Sequence, residues 1–372
     1  MFKIVLFLFS IYLVWRLILP LPLAKVWRWV LSIMLLILAQ YYWVREWIFG
    51  SLASPEVPRW VLLVLGSTFV YFVITVLLTV FIEIIHLIAR FVLRISRAKW
   101  SNTLRIGILL GSGVLSIFGV QQAIKVPEVK TVVLPIKNLP AGLEGFKLVH
   151  LTDLHISPLL NQEWLVAVVE KTNGLQADVI AITGDLIDGF VKDRQKEIPP
   201  YAALQARYGV LASLGNHEYY FHAPEWYATF QQLGMQVLVN QHTVLTHQGE
   251  PIVFAGVADP VAIGVGLEGP NMDKALSGAP KGVFTVLLDH RPHQAKDHLQ
   301  KGVNLQLSGH THGGMIVGFQ EIVKQFNAGF VSGLYAVGEG LLYVSNGTGL
   351  WNGFPVRLGV PSEITLFVLK RG

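Results

Sequence analysis

The stretch SGHTHGG at residues 308–314 carries two imidazoles, His310 and His312, directly after an apolar run. In an extended backbone, residues i and i+2 point to the same side, so we expect both rings to face one spot. The flanking glycines permit the positive φ of a tight turn and let the backbone approach another group closely. An isolated His-x-His also occurs in solvated polar loops, so the rest of the sequence must decide between a loop and a metal site.

Four further apolar runs end in residues of the metal-binding type, at 153–155, 184–188, 215–218 and 289–290. Continuous apolar runs of this length are typical of strands that are buried on both faces, and helix-like stretches lie between some of them. This alternation predicts a layered α/β domain, in which ligands bind at the carboxyl ends of the strands. The five clusters are therefore expected to meet in space.

The side chains at the five strand ends form a mixed ligand set: Asp153, His155, Asp185, Asn216, His290, His310 and His312. Imidazole, carboxylate and amide groups together suit Mn²⁺, Fe or Zn²⁺, whereas a calcium or magnesium site would not use so many histidines. Seven ligands are too many for one ion with open positions. They suffice for two divalent transition-metal ions if one carboxylate bridges, which is an arrangement that clamps a phosphoryl group.

In chain order the clusters read D-x-H, G-D-x-x-D, G-N-H-E, H and G-H-T-H, and over about residues 145–370 they resemble the calcineurin-like metallophosphoesterase superfamily. The segments 309–314 and 347–357 are similar to the membrane-anchored bacterial group related to YkuE and YaeI. The resemblance implies one ion held by Asp153, His155, Asp185 and His312, and a second ion held by Asp185, Asn216, His290 and His310.

The resemblance also implies a catalytic residue, His217, which would protonate the leaving oxygen while a metal-bridged hydroxide attacks phosphorus. A near-neutral pKa suits imidazole for this task. Asp188 is expected to brace its loop, and Asp289 to be a neighbour of a ligand. The group's pattern has an arginine, which would contact phosphate, where this chain has Asn346. Arg357 is the candidate cation to replace it. The other histidines are expected in the core, on the surface or near substrate: His150, His222, His242, His247, His293 and His298.

The first third of the chain is far more apolar than the rest. The whole sequence is 52% hydrophobic and 14% charged, and four long apolar stretches occupy residues 4–23, 26–44, 60–87 and 106–123. Each has about the length needed to cross a bilayer. A cleaved signal peptide is the competing interpretation of residues 1–20, but Arg16 interrupts the run and no small-residue cleavage site follows. We therefore predict a multi-span α-helical membrane region at 1–124, a linker and leading strand at 125–145, and an α/β/β/α metallophosphoesterase domain at 146–372.

Residues 1–130 contain 13 basic and 4 acidic side chains, against 16 and 20 in the remainder. The basic residues flank apolar spans and form no patch on the soluble domain, so no nucleic-acid binding is predicted. They concentrate in the first and third connections, the third carrying Arg90, Arg94, Arg97, Lys99 and Arg105. Positive connections favour the cytoplasm, so four spans would place the catalytic domain outside it, in an integral protein of the inner or plasma membrane. The absence of cysteine suits that location.

Three ionisable residues in the third span, Glu83, His86 and Arg90, share one helical face. Ionisable groups at membrane depth are functional candidates, but the span exceeds bilayer thickness and its last turns can stand among headgroups. We favour that structural interpretation.

The sequence as a whole predicts a membrane-anchored dimetal phosphohydrolase. Phosphate monoesters and diesters both remain open as substrates, and a lipid-linked phosphate is attractive because the site would lie near the bilayer. The alternative is a non-catalytic membrane protein that uses the domain as a metal-dependent binding or scaffold module. Because the chain keeps all seven ligands and His217, we favour the enzyme.

Overall fold

The computed structural model describes residues 2–50, 54–92, 94 and 100–372. The chain divides into two units, the first formed by residues 1–122 and 352–356 and the second by residues 123–351 and 357–372. Arg97 and Lys99, which contribute to the predicted topology, lie outside the described residues.

The first unit is helical. Its helices are α1 (Phe2–Leu13), which continues into a π-helical turn (Val14–Ile18), α2 (Lys25–Leu38), α3 (Tyr41–Phe49), α4 (Arg59–Phe91) and α5 (Asn102–Ile124). Among the described residues, α4 and α5 are long and apolar enough to cross a membrane, and α2 with α3, bent by 59°, would add a third crossing if they form one span. The membrane region is thus confirmed as multi-helical. The number of four spans stays a prediction, because α1 with its π-helical turn reaches only the short end of the spanning range.

Several polar side chains of the helical unit have partners within that unit. Glu83 pairs with Arg16, and His86 accepts a hydrogen bond of 2.9 Å from the indole of Trp100. The buried Arg45 donates to the Asn352 side chain at 2.6 Å, in the segment 352–356 that returns to this unit. These contacts give Glu83 and His86 a structural role as polar links between helices.

The second unit contains two six-stranded sheets. In spatial order the strands of the first sheet are β1 (Glu128–Ile136), β12 (Glu363–Arg371), β2 (Lys147–Leu151), β3 (Val179–Thr183), β4 (Val210–Ser213) and β5 (Met235–Val237). The strands of the second sheet are β10 (Gly333–Val337), β11 (Gly340–Val344), β9 (Leu305–Ser308), β8 (Phe284–Leu288), β7 (Glu250–Gly256) and β6 (Gln241–His247). Strands β2 to β5 are mutually parallel, and so are β7, β8, β9 and β11. The predicted leading strand is β1, and it lies at a sheet edge.

The five apolar runs form the strands β2, β3, β4, β8 and β9. Every residue of β3, β4, β8 and β9 is buried, as is nearly all of β2. One apolar cluster takes side chains from both sheets, including Leu148, Val179, Phe254, Val286 and Leu307. The two sheets therefore pack face to face, as the sequence predicted. A strand that must be apolar on both sides in this way shows no alternation, which is why the runs are continuous.

Helices cover the outer faces of the sheets. The helices of this unit are α6 (Gln162–Asn173), α7 (Val191–Arg194), α8 (Asn216–Tyr220), α9 (Ala223–Gln232), α10 (Val261–Gly264), α11 (Met272–Ala275), α12 (Ala295–Gln300) and α13 (Gln320–Phe326), with short 3₁₀ turns at 141–143, 199–203, 292–294 and 312–314. Helix α6 buries Leu165 and Val169 and is capped by the side chain of Asn161, which accepts from the backbone of Trp164. The helix-like stretches that the sequence predicted between the strands are confirmed, and α6 and α9 are two of them.

Candidate metal centre

Each candidate ligand follows the carboxyl end of a strand. Strands β2, β3 and β4 are adjacent and parallel in the first sheet, and β8 and β9 are adjacent and parallel in the second. The imidazole of His290, after β8, bonds through Nδ1 to the backbone carbonyl of Thr183 at the end of β3, over 2.8 Å. This bond joins the two sheets at their ligand-bearing ends.

The backbone at these strand ends is unusual. Five candidate ligands have positive φ: Asp153 (53°), His155 (47°), Asp185 (53°), His310 (69°) and His312 (48°). Side chains other than glycine rarely adopt this region, and such strain collects at functional sites, where the surroundings hold it in place. The tight turns direct successive side chains into one volume that a regular strand could not fill.

Two glycines permit the close approach of these turns. Gly184 has φ of 79°, and a Cβ there would lie 2.5 Å from the backbone nitrogen of Gly215 and 2.9 Å from Nδ1 of His290. At Gly309 a Cβ would collide with the Asp153 carboxylate. A side chain at either position would therefore displace a candidate ligand or the loop that carries it.

A first group of donor atoms comes from Asp153, His155 and His312. The distance from Oδ1 of Asp153 to Nε2 is 3.8 Å for His155 and 3.6 Å for His312. Oδ2 of Asp185 lies 3.7 Å from the same Nε2 of His155. These four residues are the set that the family resemblance implies for one ion.

A second group comes from Asp185, His290 and His310. Nε2 of His290 lies 3.2 Å from Oδ2 of Asp185 and 3.2 Å from Oδ1 of Asn216. Asp185 thus faces both groups, as a bridging carboxylate would. All seven candidate ligands lie around one centre, and the two neighbouring histidines, His310 and His312, fall in different groups.

The donor set fits transition-metal ions. Ligand bonds of about 2.0–2.2 Å around one ion hold neighbouring donor atoms roughly 3–3.6 Å apart, close to the separations seen here. Nε2 of His155 is buried without a hydrogen bond, while Nδ1 of that ring is held at 2.9 Å by Asp188. A carboxylate on the far nitrogen is the usual support of a metal-binding histidine.

Charges at the centre also favour a cation. Burial lowers the pKa of His310 and His312 well below the usual value, which keeps both rings in the neutral form that binds metals. Burial lowers the pKa of His290, but the carboxylates of Asp185, Asp153 and Asp259 together raise it to about 10. A field strong enough to hold a proton on a buried imidazole would also attract a metal ion.

Asp188 supports two histidines at once, which fits the predicted bracing role. Its Oδ1 accepts from Nδ1 of His155 at 2.9 Å and from Nδ1 of His217 at 2.6 Å. Burial lowers the pKa of His217, but the Asp185 and Asp188 carboxylates raise it to a net value of about 9. With Nδ1 occupied by Asp188, the free donor of His217 is Nε2, which lies 3.9 Å from Oδ2 of Asp185. Geometry alone would also admit His217 as a ligand beside His155 and Asp185.

Glu218 is a structural residue of the site to which sequence reasoning assigned no role. Its carboxylate accepts from the backbone nitrogens of Asp185 (2.9 Å), Leu186 (2.7 Å) and Gly215 (2.7 Å), so it ties the loop after β3 to the loop after β4. Burial raises the pKa of Glu218 to about 8, and the Asp185 charge adds to that rise. The motif G-N-H-E carried the signal, because an acid three residues after a helix start commonly binds backbone amides there.

Two sequence-based expectations are wrong. His310 and His312 do not share a face of an extended backbone, since both have left-handed φ and a 3₁₀ turn begins at His312. Arg357 is buried and donates to the carbonyls of Asn346 (2.6 Å), Gly349 (2.9 Å) and His312 (3.3 Å), so it braces loops and is not available for phosphate. The first expectation assumed an extended backbone, in which residues i and i+2 share a face. The second assumed that a cation near the site is exposed.

The remaining polar residues lie where they were expected. Asp289 bonds to His298 and Gln306 at 3.3 Å each and belongs to neither donor group. His150, His247 and His298 are buried in the core, and His222 and His293 are exposed. His242 bonds to the carbonyl of Ala275 at 2.8 Å.

Two face-to-face sheets with buried histidines and aspartates at their strand ends define a metal-dependent phosphoesterase domain, and residues 146–314 match the family model described as calcineurin-like phosphoesterase. The chain is 38% identical over 263 residues to an uncharacterized metallophosphoesterase of Campylobacter jejuni, covering 69% of this chain and 68% of the relative. The chain therefore belongs to the calcineurin-like phosphoesterase family, as the motifs predicted.

Two further relatives extend this comparison. A transmembrane protein with metallophosphoesterase domain from Danio rerio is 35% identical over 272 residues, covering 71% of this chain, and the chain spans 62% of that relative's length. The uncharacterized metallophosphoesterase YkuE of Bacillus subtilis is 33% identical over 239 residues, which are 62% of this chain and 82% of YkuE. The similarity to the YkuE group is thereby confirmed. The assignment of individual ligands and of His217 stays a prediction.

Proposed function

We propose that this protein is a membrane-anchored phosphohydrolase that uses two metal ions to cleave a phosphate monoester or diester. The observation that carries the proposal is the position of Asp185, whose carboxylate lies 3.7 Å from Nε2 of His155 in one donor group and 3.2 Å from Nε2 of His290 in the other. When bound, two ions would stabilise charge on the phosphoryl oxygens and lower the pKa of a water molecule.

The residues of the chain would divide the remaining work. Asp153 orients the loop that carries two ligands, since its carboxylate accepts from the backbone nitrogen of His310 at 3.0 Å. His217 would donate a proton from Nε2 to the departing oxygen, with its ring fixed by Asp188. The imidazole of His217 keeps 11% of its side-chain surface exposed, whereas that of His155 is fully buried, so only His217 of this pair can meet substrate.

A catalytic role is better supported than a scaffold role. A metal-dependent scaffold would also need the bonds that hold His155 and His290. It would not need the 2.6 Å bond by which Asp188 fixes His217, which is assigned to neither ion. Each of these bonds fixes one ring nitrogen and leaves the other for a ligand or substrate.

We expect the purified full chain in detergent to bind two divalent ions and to hydrolyse nitrophenyl phosphate monoesters or diesters. Metal analysis and turnover with Mn²⁺, Fe²⁺ and Zn²⁺ would be measured on the same preparation, before and after chelation. Chelation should abolish turnover and re-addition should restore it. Two bound ions with no hydrolysis of either ester class would favour the scaffold alternative. Comparing water-soluble esters with phospholipid esters in mixed micelles then tests a lipid-linked substrate.

We also propose that the catalytic domain lies outside the cytoplasm, because the basic residues concentrate in the first and third connections. A reporter that is active only after export should be active when fused after Gly372 and inactive when fused at Lys99. A reporter that fluoresces only in the cytoplasm should give the opposite result at both positions and serves as the matched control. A cytoplasmic reporter that fluoresces at Gly372 would place the domain inside and contradict the proposed location.

A further inference from the structure

Arg291 is a partly exposed cation that directly follows the candidate ligand His290. Its Nε donates to Oδ2 of Asp259 at 2.6 Å, and its side chain keeps 27% of its surface exposed. Asp259 is buried, and its other oxygen accepts from the backbone nitrogen of Val261 at 2.9 Å. The position of the guanidinium is therefore fixed, although a guanidinium carries five N–H donors and Asp259 engages it only through Nε.

Tyr220 lies near both Arg291 and the proposed proton donor, His217. Burial raises the pKa of Tyr220, and the nearby positive charge of Arg291 opposes that rise. The Tyr220 ring centroid lies 5.5 Å from that of His217. Tyr220 is 52% exposed, so it can reach a molecule that approaches from solvent. Arg291 directly follows the candidate ligand His290 in the loop after β8. The pair thus borders both the candidate metal centre and His217.

We propose that Arg291 and Tyr220 form a second phosphate subsite, which selects substrates that carry an additional phosphate on the leaving-group side of the scissile ester. This inference rests on the proposed function, because His217 defines the leaving-group side. A planar guanidinium binds a phosphate group through two parallel hydrogen bonds, and the adjacent hydroxyl can donate a third. The favoured substrate class is a diphosphate or bisphosphate compound, in preference to an ester with a neutral leaving group.

Local charge supports such a subsite. The centre contains the buried aspartates Asp153, Asp185 and Asp188. A second phosphate that extends from the metals toward His217 would approach the carboxylate of Asp188, which is bonded to His217, and a cation facing that phosphate would stabilise its charge. Arg357, the other arginine near these loops, is buried and bonded to backbone carbonyls, so Arg291 is the cation in position to serve.

The subsite is tested by comparing how tightly inorganic phosphate and pyrophosphate bind. Titration calorimetry on the metal-loaded full chain in detergent, at constant free metal concentration, gives both dissociation constants without turnover. Competitive inhibition of nitrophenyl ester hydrolysis gives a second measure. The wild type should bind pyrophosphate at least about tenfold more tightly than phosphate, and Arg291→Gln should bring the ratio close to one.

Two conservative variants and one control make the result decisive. Tyr220→Phe removes only an exposed hydroxyl and should lower the ratio severalfold, and Arg291→Lys keeps the charge beside Asp259 but loses the planar fork, so it should also lower the ratio. Arg207→Gln removes another exposed arginine that pairs with an aspartate, Asp178, and should leave the ratio unchanged.

A purely structural Arg291 would lower the thermal unfolding temperature without changing the ratio of the two constants. A ratio that stays at the wild-type value in Arg291→Lys and Tyr220→Phe overturns the proposal, even if Arg291→Gln fails to fold. If the wild type hydrolyses no ester, the proposed function fails, and the calorimetric ratio still decides whether the subsite exists.

Discussion

Replacing Asp185 with asparagine should lower the occupancy of both metal sites and reduce turnover by at least about hundredfold. The carboxylate of Asp185 lies 3.2 Å from Nε2 of His290 and 3.7 Å from Nε2 of His155, so it contributes to both donor groups. The asparagine amide has nearly the same shape as the carboxylate but no negative charge. An NH₂ group, which is a donor, replaces one of the two carboxylate oxygens. Metal analysis of the purified variant, beside steady-state kinetics on nitrophenyl esters, measures both effects.

The matched control is the same substitution at Asp289, one residue before the ligand His290. Its carboxylate bonds to His298 and Gln306 and belongs to neither donor group, so Asp289→Asn should keep both ions. Circular dichroism on both variants would separate loss of metal from loss of fold. Two tightly bound ions in Asp185→Asn would contradict the bridging assignment.

Replacing His217 with asparagine or alanine should leave both ions in place and reduce turnover by roughly a hundred- to ten-thousandfold, the usual contribution of a positioned acid or base. The imidazole is fixed by its 2.6 Å bond to Asp188, and its free Nε2 is the proposed proton donor. The loss should be largest for alkyl esters. A nitrophenolate leaves without a proton, so nitrophenyl esters should recover part of the rate.

His222→Asn is the control for this experiment. His222 is exposed and has φ of 72°, a conformation that asparagine accepts more readily than alanine, so the variant should fold and retain full activity. Full activity of His217→Ala on an unactivated alkyl ester would contradict the proton-donor role. Loss of one ion from His217→Asn would instead identify His217 as a ligand of the kind that its place beside His155 and Asp185 allows.

The elements that position the site could be predicted because their signals are local. An apolar run that ends in Asp-x-His or Gly-Asn-His is readable along the chain, and β2, β3, β4, β8 and β9 all end at the predicted clusters. The apolar helices α4 and α5 could be read in the same way from hydropathy. Strand order could not be read so directly, since β12 pairs between β1 and β2 although more than two hundred residues separate it from either.

The sequence by itself determined the types of the candidate ligands, their place at strand ends and the family of the protein, because each of these depends on residues that are neighbours in the chain. The resemblance to the family already implied that His310 and His312 serve different ions, but only the tertiary structure decided the backbone that separates them. His310 and His312 are separated into two donor groups by left-handed backbone, which side-chain periodicity does not reveal.

The roles of the two arginines near the site were also decided only by the tertiary structure. Arg357 donates its hydrogen bonds to backbone carbonyls, while Arg291 is partly exposed beside Asp259. Burial and hydrogen-bond partners set the role of an arginine, and both arise from contacts between residues that are distant in sequence.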